Sequence, residues 1–95
     1  MTIDEFVATL DRDRPPPRIG VPLSALWYDA KGNWKEAHEL AQDDAGFYGS
    51  WVHAYLHRKE GDFDNADYWY RRAGREAPSV SVEAEWREIA AALLV

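Results

Sequence analysis

The sequence predicts an all-α fold, a compact bundle of about six short helices. Three observations lead there. Apolar residues recur at spacings of three and four in six separate stretches, the period of a helix with one buried face. No stretch sustains the period-two alternation of a half-buried strand. Glycines, prolines and short capping side chains stand between the stretches, where helices start and stop.

The first stretch opens on Thr2-Ile3-Asp4-Glu5, a capping box in which the threonine oxygen and the glutamate side chain each satisfy a free helix-end amide. Ile3, Phe6, Val7 and Leu10 form its apolar stripe, and Pro15-Pro16-Pro17 end it because proline lacks the amide. Asp11-Arg12-Asp13-Arg14 reads as a solvated helix end. A second helix is expected to begin near Pro22, a residue suited to a first turn, with Leu23, Leu26, Trp27 and Ala30 on one face. Gly32-Asn33 stops it as a left-handed cap. The third helix runs from Trp34 to about Gln42 and aligns Trp34, Ala37, Leu40 and Ala41. Asp43 to Gly49 reads as a loop, after which Ser50 is the expected N-cap of a fourth helix carrying Trp51, Val52, Ala54, Tyr55 and Leu56. Gly61-Asp62 ends that helix and caps a fifth, where Phe63, Ala66, Tyr70, Ala73 and Ala77 recur at threes and fours. Pro78, Ser79 and Ser81 break the chain before a last helix that sets Val82, Trp86, Ile89, Ala90 and Leu93 on one stripe.

Composition narrows the function. Ninety-five residues fit one domain, and a chain this short buries only about 60–65% of its unfolded surface, so each large side chain counts. Five tryptophans and 46% hydrophobic residues supply a core of bulky rings. The formal charge of −6 argues against a nucleic-acid or anionic-membrane binder, since phosphate neutralisation needs basic excess. Without cysteine there is no disulfide, thiolate metal site or cysteine nucleophile. The acidic N-terminus lacks an apolar signal core, and Ile89 to Val95 falls far short of the roughly 20 residues of a membrane span, so a cytoplasmic location is expected.

An internal repeat organises the middle of the chain. Lys31-Gly32-Asn33-Trp34-Lys35-Glu36-Ala37 aligns with Glu60-Gly61-Asp62-Phe63-Asp64-Asn65-Ala66. In each copy a glycine turns the chain, a polar residue caps, an aromatic enters the interface and an alanine permits close helix approach. With Gly61, Asp62, Phe63, Ala66, Tyr70, Ala73 and Pro78, the second copy resembles the back half of a tetratricopeptide (TPR) repeat, and Ala25, Tyr28 and Ala54 match small and aromatic positions of that family's first helix. The resemblance implies two TPR-like helix-turn-helix units over residues 22–78, an N-terminal capping helix over 1–14 and a C-terminal one over 81–95. Spacing between the copies is shorter than the family's usual period, so the first unit must be truncated in its second helix or its loop. The phrase from Trp51 to Asp62 is also similar to one in small uncharacterised bacterial proteins, which implies a bacterial origin.

No pattern reaches a catalytic signature: neither a nucleophile elbow nor a phosphate-binding glycine loop is present. His53 and His57 lie one turn apart and could chelate a transition metal with His38, Glu60 or Asp62 as third ligand, or could simply pack as hydrogen-bonded imidazoles. The carboxylates of Asp43-Asp44 and Asp62-Asp64-Asp67 suit helix starts, where acids complement the dipole. Arg58, Lys59, Arg71, Arg72 and Arg75 would form one positive strip if the hairpin brought them together. Beside them Tyr48, Trp51 and Tyr68 are candidate aromatic anchors for a partner. The expected function is a protein-interaction or self-association module, for a protein or peptide or a second copy, with no cofactor. The alternative is a small-molecule or metal-binding protein, with enzymatic activity left open, using His53 and His57.

Overall fold

The chain is described by a computed structural model over residues 1–94, and among these it forms six α-helices and no strand. They are α1 (Ile3–Ala8), α2 (Val21–Ala30), α3 (Trp34–Gln42), α4 (Phe47–Glu60), α5 (Phe63–Arg72) and α6 (Val82–Leu93), with a 3₁₀ turn, Thr9–Asp11, continuing α1. Val95, the last residue of the expected C-terminal helix, lies outside the described residues. The Thr2–Glu5 capping box is present in both directions.

Two hairpins, α2–α3 and α4–α5, share one turn chemistry. Gly32 (φ 83°) and Gly61 (φ 89°) take the left-handed conformation that side chains disfavour. The following residues cap the next helix: Asn33 accepts from the Glu36 amide at 3.2 Å, and Asp62 from the Asn65 amide at 3.3 Å. The two units differ in length because α2 has 10 residues against 14 in α4, and residues 43–46 leave α3 where 73–81 leave α5.

Helix α4 is the axis of the bundle. Gly49 to His57 are all buried, because α2, α3, α5 and α6 surround the helix on every side. Ala37 and Ala41 of α3 and Ala66 and Ala73 of the α5 region lie against it without exposed surface of consequence, so backbones can approach closely. α1 and α6 close the ends, with Phe6 stacked on Trp86 at 5.8 Å.

Four expectations need correction. Ser50 does not cap α4: the helix starts one turn earlier at Phe47 with Gly46 as N-cap, and Ser50 is buried inside it. Asp44 folds back over that first turn, its side chain accepting the Gly46 amide at 2.9 Å, and passes where a Cβ on Gly49 would sit 2.5 Å from the Asp44 Cβ. Phe63 does not enter the interface as Trp34 does; it is 64% exposed at the first position of α5. Ala77 is exposed beyond the helix, since left-handed Gly74 stops α5 well before Pro78. Ala30 is exposed too, and the second buried edge of α2 is Ala25 and Asp29.

Candidate metal centre

The i, i+4 spacing on α4 places His53 and His57 on one face, and α3 lays His38 across them. Ring centroids are 4.9 Å apart for His53–His57, 4.7 Å for His38–His53 and 5.1 Å for His38–His57. One nitrogen from each ring can be chosen so that all three lie within 4.8 Å of one another. His38 Nε2 and His53 Nε2 face each other at 3.0 Å. A tetrahedral ion with nitrogen ligands at about 2.0–2.1 Å holds those nitrogens roughly 3.3 Å apart, close to the spacing of the His38–His53 pair.

Two tryptophans wall the cluster. Trp34, fixed by its Nε1 donating to the Leu56 carbonyl at 3.0 Å, stacks on His38 at 4.8 Å. Trp69 from α5 stacks on His53 at 3.9 Å. His53 is 3% exposed and His57 6%, while His38 is half-buried.

Burial, and then the imidazoles of His38 and His57, push the pKa of His53 down to about 4. Burial and His57 also pull His38 below the usual imidazole value, with Glu60 and Glu39 acting the other way. Neutral rings with free lone pairs are what a metal requires. His57 Nδ1 sits 2.7 Å from Glu60 Oε2, the carboxylate–histidine arrangement that fixes a tautomer and leaves Nε2 free to ligate. His53 Nδ1 is buried with no hydrogen-bond partner. Whichever tautomer His53 takes, that nitrogen has neither a donor nor an acceptor opposite it. A second potential ligand group, His57, Glu60 and Asp62, adjoins the first, but its two carboxylates are exposed.

The five basic residues do not form one strip. Arg58 donates to Glu85 Oε1 at 2.9 Å and to the Val80 carbonyl, and Lys59 donates to Asp29 Oδ1 at 2.9 Å. Both are committed to buried carboxylates, since Glu85 is 0% and Asp29 3% exposed. Tyr70 and Trp51 also donate to Glu85, and Tyr55 to Asp29, which raises the pKa of both phenols through burial first and the adjacent carboxylate next. These two carboxylate networks went unrecognised in the sequence. Arg72 and Arg75 instead lie on aromatic rings: Arg75 is 3.5 Å from the Trp51 ring centre, and Arg72 is 5.3 Å from that of Trp69 and 5.9 Å from that of Tyr68. Tyr48 extends the first stack at 6.4 Å from Trp51. Arg71 is exposed on α5, and none of these three arginines has a carboxylate within 4.0 Å among the described residues. No helix among them is long and apolar enough to cross a membrane.

In comparisons with known proteins, no family model, no curated sequence and no solved structure matches this chain.

Proposed function

We propose that this protein binds one transition-metal ion through His38, His53 and His57. The observation that carries the reading is the convergence of three imidazoles from two helices, with one nitrogen of each ring within 4.8 Å of the others. All-imidazole ligation suits zinc, nickel or copper(II), whereas magnesium and calcium prefer oxygen. Three protein ligands leave one position of a tetrahedron for water or another ligand. Because His38 belongs to the α2–α3 hairpin and the other two to α4, the ion would tie the two TPR-like units together.

The test is metal analysis of protein purified without an affinity tag, followed by melting with added zinc, nickel or copper(II). At about one hundred times Kd the native state gains about 2.7 kcal/mol, which raises Tm by roughly 10–20 °C in a domain of this size. The His38→Gln variant should lose most of that shift and magnesium should give none. If no metal co-purifies and none of the three ions moves Tm, the reading fails.

A second reading, a protein- or self-interaction module, is favoured by a different observation. Tyr68 lies beside Arg72 and Tyr48 stacks on Trp51, against which Arg75 packs; both tyrosines are exposed, and neither arginine has an acidic partner among the described residues. Such aromatic and guanidinium groups suit an acidic segment of a partner, or an acidic face of a second copy of this −6 chain. A concentration-independent monomer in light scattering that captures no acidic protein from the host removes this reading.

A further inference from the structure

On the opposite side of α4 from the imidazoles, a cleft of about 290 Å³ opens between α1, α2, α4 and α6. Its walls are apolar: Val7 and Leu10 on one side, Val82 and Trp86 on the other. Its charged groups come in two couples. Asp29 and Lys59 stand together, one carboxylate oxygen of Asp29 holding the Lys59 ammonium at 2.9 Å and the other the Tyr55 hydroxyl at 2.6 Å. Glu83 and Arg87 line the cleft from α6 at i, i+4 spacing, and neither makes an ion pair with the other; the guanidinium reaches only 3.8 Å from Asp4.

Each couple retains bonding capacity. An ammonium has three donors and Lys59 uses one here, while each Asp29 oxygen has a second lone pair. The cleft thus offers a buried acceptor, Asp29, and a half-exposed donor, Lys59, side by side against apolar side chains, with no net charge from its four ionisable lining residues. A singly charged amphiphile would use only the spare donors or only the spare acceptors of these groups. A ligand with both charges and an apolar side group satisfies donors, acceptors and walls together.

From this we infer that the cleft binds a small zwitterion with an apolar side group, of the size of one branched or aromatic amino acid. The inference is independent of the metal reading, because it rests on another cavity and other residues.

The test is titration of the full chain with L-leucine and L-phenylalanine, followed by the Trp86 indole N–H in proton–nitrogen NMR. That N–H donates to the Leu26 carbonyl at 3.0 Å and belongs to the cleft wall. Saturable shifts at or below about 10 mM are expected, with N-acetyl-leucine and leucinamide each weaker by at least about tenfold because each has lost one charge. Arg87→Gln, on the surface, should weaken binding of the free amino acid similarly. Val82→Phe, which fills the cleft, should abolish it while helicity by circular dichroism is kept. The inference is overturned if neither amino acid moves the Trp86 resonance, if the capped forms bind as well as the zwitterion, or if a folded Val82→Phe variant still binds.

Discussion

Acidification should destabilise this protein more steeply than its carboxylates alone would, and His53 is the reason. Its pKa is about 4 in the folded chain, because burial and the facing rings of His38 and His57 disfavour the charged form, and about 6.5 when unfolded. The folded state therefore binds fewer protons at this site than the unfolded state. For a depressed pKa the contribution is full above the unfolded value and is lost as pH falls from about 6.5 toward about 4. Moving from about pH 7.5 to about pH 5 should remove about 2 kcal/mol, out of roughly 5–14 kcal/mol for a domain this long. In a melt followed by circular dichroism that is a fall of about 8–16 °C. His38, shifted the same way, adds to it. The diagnostic variant is His53→Phe, which keeps a flat ring against Trp69 and removes the titration. Metal-free wild type and variant should differ in the pH slope of Tm by the equivalent of about 2 kcal/mol over that interval. Parallel slopes would refute the packing of three neutral imidazoles, whatever the absolute melting temperatures.

Three further outcomes follow from particular contacts. Glu60→Gln should weaken metal affinity about tenfold while leaving Tm of the metal-free protein nearly unchanged, because the group supports His57 from an exposed position; unaltered affinity in a competition titration would sever Glu60 from the site. Glu85→Ala should cost about 3–5 kcal/mol in urea unfolding, since Arg58, Tyr70 and Trp51 lose a shared acceptor in the core. A loss below about 1 kcal/mol would mean that the buried carboxylate is dispensable. Gly49→Ala should destabilise by about 1–3 kcal/mol, read in the same assay, because the added methyl meets the Asp44 backbone and side chain.

The sequence carried the helices well where local chemistry decides them. The Thr2–Glu5 box and the Gly-Asn and Gly-Asp caps act within four residues, so their signals survive without tertiary knowledge. The start of α4 was misread because two candidates compete locally: Ser50 has the better capping side chain, yet Asp44 packing on Gly49 moves the helix start to Phe47. That close approach is a tertiary fact with no periodic trace. Phe63 misled for a related reason, since the repeat alignment supplied a residue type but not the packing of its neighbours. Helix α4 shows the limit of periodicity itself. Nine successive buried positions, including two histidines and a serine, give no stripe at all, because a helix surrounded on every side has no polar face to contrast with an apolar one.

Of the candidate centre, the sequence could supply only the i, i+4 pair. His38 stood among three nominated third ligands, and nothing in its spacing ranked it above Glu60 or Asp62; the packing of α3 on α4 makes that selection. The basic residues show the converse error. Summed as charges they suggested one positive strip, but the sequence does not reveal that two acids, Asp29 and Glu85, lie inside the bundle. Each would be a severe cost alone, and each takes its cation from α4 along with a phenol, Tyr55 or Tyr70. Arg58 and Lys59 therefore hold the buried acids, and of the five cations Arg71, Arg72 and Arg75, on α5 and its C-terminal turn, lie on the surface without a carboxylate partner. The buried acids also separate the two sides of α4 by chemistry. One side presents three imidazoles with no carboxylate buried among them, suited to an ion; the other presents paired charges around an apolar cleft, suited to a molecule that carries both signs.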